Sequence, residues 1–251
     1  MLLIIPAIDI LNGRSAYRIN GLEGPGERNN PVEIARLLRT ENAKTLHVTD
    51  LGGARTGTFT EFDTIHDLVM NVDIPIEVSG GITTEDEATR LLDMGACRVV
   101  LHPGLLTDNP PEAERILGKN GPGKTVVAIE SRMSADTGDT APPHPSGDPL
   151  NIGRTALRMG FRRLLYTGLD AGGTHHVLTP AMIRSLATET GLRVTVSGGI
   201  TSLHDLQVIQ DLGVPGVDSV VLRKSLYENE FSCQKIWRIA EAGRYPYTAK
   251  V

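Results

Sequence analysis

Val78-Ser79-Gly80-Gly81-Ile82-Thr83 recurs as Val196-Ser197-Gly198-Gly199-Ile200-Thr201, 118 residues further along a chain of 251. The shift is close to half the chain, so the sequence reads as one supersecondary pattern written twice. In each copy an apolar run leads into a Gly-Gly turn and an amphipathic stretch follows. Such a turn presents backbone N–H groups to a phosphate, although its glycines also serve simply to make a tight strand-to-helix connection. Two turns of this kind point to a ligand with two phosphates, one held by each half.

Working outward from the turns, short β-branched runs alternate with amphipathic segments, as in repeated βα units with a parallel sheet. The pattern predicts strands near 2–8, 45–49, 74–79, 97–101, 124–129, 162–167, 193–197 and 218–222. Between them, helical spacing links Val32, Ala35, Leu37 and Leu38, and likewise Ala88, Leu91 and Leu92. Gly95, Gly160 and Gly213 fall near predicted helix C-termini. The later four strands overlay the first four at nearly constant offset. Ile8-Asp9 matches Ile129-Glu130, Thr49-Asp50-Leu51 matches Thr167-Gly168-Leu169, and Leu101-His102 matches Leu222-Arg223. Eight parallel βα units with an internal twofold repeat predict an α/β fold, a (β/α)8 TIM barrel that occupies residues 1–251 as one domain. Barrels of this kind carry their chemistry at the C-terminal ends of the strands. Asp9, Asp50, Glu130, Thr167 and both Gly-Gly turns are therefore expected on one rim.

Composition narrows the function. With 40% hydrophobic residues the chain is able to bury a large core, and a net charge of −5 argues against general nucleic-acid binding. Any phosphate recognition must then be local. The two cysteines, Cys97 and Cys233, form no CxxC pair and have no histidine at zinc-ligand spacing, so no metal is expected and a reducing cytoplasm fits. The N-terminus reaches Asp9 without a basic n-region, unlike a signal peptide, and no apolar run approaches the roughly 18 residues of a membrane span. A barrel with short termini is able to serve as a monomer, and a partner protein is compatible with the same reading. Residues 244–251 read as a tail that either packs back on the barrel or binds a neighbour.

The carboxylates are the candidate chemical groups. Asp9 ends the apolar run Ile4-Ile5-Pro6-Ala7-Ile8, where a charge is costly unless it faces a solvent-filled mouth. A structural Asp bonding loop amides is the plainer alternative. Glu130 ends the related fifth strand, and two carboxylates across a barrel mouth suit general acid–base work. Thr167, at the end of the sixth strand, fits either a hydroxyl-orienting role or a structural one. Asp50 reads as loop-ordering or ligand-orienting rather than catalytic.

Several stretches resemble a known family. Ile5-Pro6-Ala7-Ile8-Asp9 with Asn12-Gly13 and Arg18, Pro31-Val32-Glu33-Ile34-Ala35, Leu46-His47-Val48-Thr49-Asp50-Leu51, Val196-Ser197-Gly198-Gly199-Ile200 and Leu226-Tyr227-Glu228 are similar to the histidine-biosynthesis isomerases that act on the phosphoribosylformimino derivative of aminoimidazole carboxamide ribotide. The resemblance runs over nearly the whole chain. It implies an Amadori rearrangement of an aminoaldose to an aminoketose, on a small-molecule substrate with a phosphate at each end and without cofactor or metal. It also implies that Asp9 and Glu130 form the acid–base pair and that Thr167 assists. The sister cyclase usually opens with Pro-Cys-Leu-Asp, so Pro6-Ala7-Ile8-Asp9 favours the isomerase.

Departures from the family pattern fall on the rim. The fifth-strand acid is Glu130 instead of Asp, which adds one methylene and displaces its proton by about 1 Å. Thr83 replaces an arginine after the first Gly-Gly-Ile. His102-Pro103-Gly104 stands where the family has Gly-Ser or Gly-Thr, and Arg223-Lys224-Ser225 where it has Gly-Arg-Ala. These side chains either grip phosphate themselves or fill its place. The fifth loop, 133–150, lacks the family's tryptophan, since Trp237 lies on a predicted last helix with a core role. The sixth loop reads Gly168-Leu169-Asp170-Ala171-Gly172-Gly173-Thr174-His175-His176, with Asp170 a candidate ligand contact and both histidines expected to face solvent. Two other readings stay open: a paralogue acting on another phosphorylated sugar or phosphate ester, and a non-catalytic phosphate-ligand-binding or partner subunit.

Overall fold

Alternation along the strands decides how this chain closes on itself. In Leu3-Ile4-Ile5-Pro6-Ala7-Ile8-Asp9, successive side chains point to opposite faces, and both faces are apolar until Asp9. A strand buried on both faces needs neighbours on both edges and cover on both sides, which a barrel wrapped in helices provides.

The computed structural model describes residues 2–17, 29–132, 148–170 and 177–227. Its first half runs β1 (Leu3–Leu11), β2 (Arg14–Ser15), α1 (Pro31–Thr40), β3 (Leu46–Asp50), α2 (Leu51–Thr56), α3 (Phe62–Asn71), β4 (Ile76–Ser79), α4 (Glu85–Asp93) and β5 (Arg98–Leu101). Then come α5 (Gly104–Asp108), α6 (Pro110–Asn120), β6 (Thr125–Arg132), α7 (Pro149–Met159), β7 (Arg163–Leu169), α8 (Pro180–Thr190), β8 (Arg193–Ser197), α9 (Leu203–Asp211), β9 (Val217–Leu222) and α10 (Lys224–Tyr227). Strands β1 and β3 to β9 pair in parallel in chain order, and β1 closes the ring by pairing with β9, Ile5 opposite Val221. The result is a closed eight-stranded (β/α)8 barrel, with β2 a short antiparallel flap on β1.

All eight predicted strands are present, with ends moved by a few residues. The largest extensions are at the C-terminal ends of β1 and β6, where backbone pairing continues past the apolar run, to Asp50 on β3 and Leu169 on β7 respectively. The short elements β2, α2, α5 and α10 have no periodic signature to announce them. Predicted helix faces are the buried ones for Ala35 and Leu38 and for Ala88, Leu91 and Leu92, while Val32 and Leu37 are only partly covered. Gly160 caps α7 in the left-handed conformation, and Gly95 and Gly213 follow α4 and α9 with φ of 108° and 60°.

Two apolar layers meet at the strands. Outward residues such as Ile4, Ile8, Val48, Val78, Ile129, Val196 and Leu222 pack under the helices, whereas Ile5, Ala7, Val100, Val126, Leu165 and Val221 fill the bore. Because the side-chain period is two, this parity fixes which residues at the strand ends face the mouth.

Candidate active site

Counting on from the bore-filling residues places Asp9, Glu130 and Thr167 on the inward face, each two positions beyond a bore residue: Ala7, Ala128 and Leu165. Asp9 is in register with Thr49, and Thr49 with Ser79. On the far side Glu130 is in register with Thr167, and Thr167 with Ser197. The two carboxylates thus stand at the C-terminal ends of the first and fifth barrel strands and are directed to the same mouth.

Asp50 behaves differently. It shares parity with the outward Leu46 and Val48, and its buried carboxylate faces the loop behind β3. Oδ1 accepts from the Gly53 amide at 2.7 Å, and Oδ2 accepts from the Thr60 amide at 2.6 Å, the Thr60 hydroxyl at 2.9 Å and the Glu61 amide at 3.3 Å. Asp50 is therefore the cap of α2 and the organiser of the loop that leads to α3. The inward positions on that strand belong to His47 and Thr49, which sequence reading passes over. Strand parity identifies them, since an acid one residue beyond Thr49 cannot share its face.

These overlooked residues form a buried polar chain. Glu77 Oε1 lies 2.9 Å from His47 Nδ1, His47 Nε2 lies 2.9 Å from Ser79 Oγ, and the Ser79 hydroxyl donates to Thr49 Oγ1 at 3.0 Å. Thr49 Oγ1 also accepts from Arg223 Nη1 at 3.2 Å, and the same nitrogen donates to Asp9 Oδ1. Burial pushes the Glu77 carboxyl upward, but the hydrogen bond and charge of His47, with Arg98 and Arg163 nearby, outweigh it and hold Glu77 below the ordinary carboxylate range. Among the described residues, two buried side-chain atoms have no hydrogen-bond partner, Ser197 Oγ and Arg223 Nε. Both belong to adjacent strand ends on the inward face.

The two Ser-Gly-Gly turns share a backbone geometry. Gly80, Gly81, Gly198 and Gly199 all have positive φ, at 104°, 74°, 82° and 71°. Neighbouring backbone crosses close over both turns: a Cβ on Gly80 would lie 2.2 Å from the Asp50 carbonyl oxygen, and one on Gly199 would lie 2.2 Å from the Leu178 nitrogen. Glycine is required here by packing, whatever else the turns bind. Each turn leads into a capped helix. Thr84 and Glu87 form a reciprocal box at α4, and Ser202 and Asp205 form the same box at α9.

His102 is exposed and folds back so that Nδ1 accepts from the Gly104 amide at 3.1 Å, which engages the backbone donor that opens α5. Arg223 instead reaches into the mouth. Its strand end is tied to the second turn, because the Ser225 hydroxyl donates to the Ile200 carbonyl at 3.1 Å. Lys224 opens α10, and Asp170 directly follows β7. Arg18, residues 133–147, His175, His176, Cys233, Trp237 and the tail lie outside the described residues. Cys97 is a free thiol, and burial raises its pKa to about 11. Among the described residues no group of three or more His, Cys, Asp or Glu could hold a metal ion, and no helix is long and apolar enough to cross a membrane.

Comparison with known proteins gives one consistent result. The histidine biosynthesis protein family matches residues 3–232. A protein of Prosthecochloris aestuarii is 35% identical over 244 residues, covering 96% of this chain and 93% of its own length. A protein of Chlorobium phaeovibrioides is 37% identical over 252 residues (96% and 95%), and one of Chloroherpeton thalassium 36% over 248 (96% and 92%). All three are named as isomerases of 1-(5-phosphoribosyl)-5-((5-phosphoribosylamino)methylideneamino) imidazole-4-carboxamide.

Proposed function

Because this chain belongs to the histidine biosynthesis protein family, we propose that it catalyses the isomerisation for which its relatives are named, an Amadori conversion of a phosphoribosylamino group to the aminoketose. The observation that carries the reading is the pair of inward carboxylates, Asp9 and Glu130, at the ends of opposed barrel strands. Protonation of the sugar ring oxygen opens the ring to a C1 imine, removal of the C2 proton gives an enaminol, and protonation of C1 with loss of the C2 hydroxyl proton leaves an amine on C1 and the carbonyl at C2. The reaction is a matter of proton transfers alone, so no cofactor is invoked. Two carboxyl groups, one giving a proton where the other takes one, meet that need. Thr167, in register with Glu130, is assigned to hold a sugar hydroxyl.

The Gly80-Gly81 and Gly198-Gly199 turns are assigned to the two phosphates of the substrate, a reading supported by their shared positive-φ geometry. The same reading puts Arg18, His102, Gly104, Asp170, Arg223 and Lys224 at its periphery, and the chain in the cytoplasm, where the small-molecule bisphosphate is its partner.

Purified protein is expected to convert the bisphosphorylated substrate named for its relatives, and Asp9→Asn is expected to lower kcat by about 10²- to 10⁴-fold, the ordinary share of general acid–base catalysis. Absence of turnover by the folded wild type would remove this reading. Rescue of a histidine-requiring strain that lacks the isomerase provides the same test in a cell.

A further inference from the structure

We propose that Arg223 is an anion-operated latch on Asp9: a phosphate arriving at the Gly198-Gly199 turn draws the guanidinium away from Asp9 and leaves that carboxylate free to act. The inference rests on the proposed function for the identity of the natural anion, but its mechanism is read from three features of the fold. Arg223 Nη1 is shared between Asp9 and Thr49, so the cation is held by a carboxylate of the mouth rather than by solvent. Its Nε is buried without a partner, as is Ser197 Oγ on the adjacent strand, so two polar atoms facing the same mouth lack the acceptor or donor they would ordinarily have. The segment that carries Arg223 is fastened to the second Gly-Gly turn through Ser225 and Ile200.

A guanidinium has five N–H donors in a planar fork suited to phosphate, and a dianionic phosphate competes well with one carboxylate. An oxygen at Nε would satisfy the orphaned donor, which the present pairing with Asp9 leaves unmet. Phosphate and Asp9 then become alternative partners of one cation. By linkage, whatever weakens the Asp9 contact must strengthen phosphate binding to the same degree.

The test uses inorganic phosphate and the full chain, with binding measured by calorimetry on the wild type, Asp9→Asn, Arg223→Gln and the double variant. Thermal melts confirm that each is folded. Arg223→Gln is expected to weaken phosphate by about tenfold, the loss of a charge-assisted contact. Asp9→Asn is expected to tighten it by about fivefold or more, the lower end of ordinary coupling, and to have almost no effect in the Arg223→Gln background. The Arg223 Nε–H NMR signal, identified by its loss in Arg223→Gln, should shift saturably with the same phosphate dependence. An equal gain from Asp9→Asn in both backgrounds would mean general charge repulsion and would overturn the latch, as would an Nε signal that stays still or no saturable binding. Turnover is read separately: coupling without turnover removes the isomerase reading alone, and turnover without coupling removes the latch alone.

Discussion

Glu77 and His47 stand side by side inside the bore, carboxylate Oε1 to imidazole Nδ1 at 2.9 Å, with both side chains closed off from solvent. Through Ser79 and Thr49 this pair connects to Arg223 and so to Asp9. A pair this deep tolerates the loss of one partner poorly, because the other is left charged or unsatisfied in a medium that cannot solvate it.

Glu77→Gln is accordingly expected to lower stability at pH 7 by about 3 kcal/mol, the low end for breaking a buried pair. The native state holds the Glu77 carboxyl below its unfolded value of about 4.3. Its stabilisation is therefore complete above that pH and is lost as pH falls through the folded pKa. Urea unfolding between pH 3 and 7 should show the difference between wild type and variant shrinking at the acid end. A constant difference across that range would contradict the assignment.

At the other end of β7, Arg163 holds Asp218 through Nη1 to Oδ1 at 2.6 Å and Nη2 to Oδ2 at 2.7 Å, beside the register shift between β8 and β9. Burial raises the Asp218 carboxyl, but the hydrogen bonds and charge of Arg163 outweigh it and leave the group lowered. Asp218→Asn is expected to cost about 1 to 2 kcal/mol, less than the Glu77 change because this side chain is 32% exposed and partly screened. Chemical denaturation at neutral pH and at pH 3 checks it, and the cost should diminish at the lower pH.

The turn glycines offer a comparison with an internal control. Gly57 has φ of 74° with nothing within 4 Å of an added Cβ, whereas Gly80 and Gly199 would drive a Cβ to 2.2 Å from backbone. Gly57→Ala should cost only the left-handed strain of about 1 to 2 kcal/mol, and Gly80→Ala and Gly199→Ala about 3 kcal/mol or more. Equal melting shifts for all three would show that the crossing loops yield.

Glu130 invites a test of reach. Glu130→Gln keeps the size and removes the proton chemistry, so kcat should fall by about 10³-fold or more; Glu130→Asp keeps the chemistry and moves it by about 1 Å, so kcat should fall by about 10²-fold at most. Steady-state kinetics on the bisphosphate separates the two. A Gln variant as active as wild type would exclude Glu130 from proton transfer.

Much of the barrel is legible in the sequence because its cause is local. A run such as Val99-Val100-Leu101 has to be buried on both faces, and alternation with helical stretches leaves few ways to satisfy eight such runs. The site is legible only in part. Asp9 is conspicuous because a charge closes an apolar strand, while Thr49, Ser79 and His47 look like ordinary strand residues until parity turns them inward. Asp50 reads as either loop-ordering or ligand-orienting, and its contacts with Gly53, Thr60 and Glu61 make it the loop organiser, a choice decided by one position along the strand.

The sequence by itself determined the strand and helix pattern, the closed parallel ring it requires, and the presence of acids at the ends of the first and fifth strands, since these follow from periodicity and from the cost of burying charge. Only the tertiary structure decided the pairings across the bore: that Glu77 meets His47 from a neighbouring strand, and that Arg223, 214 residues away along the chain, lies against Asp9. Side-chain contacts between distant segments depend on register, strand tilt and rotamer, which closure of the barrel sets together and which no local pattern records.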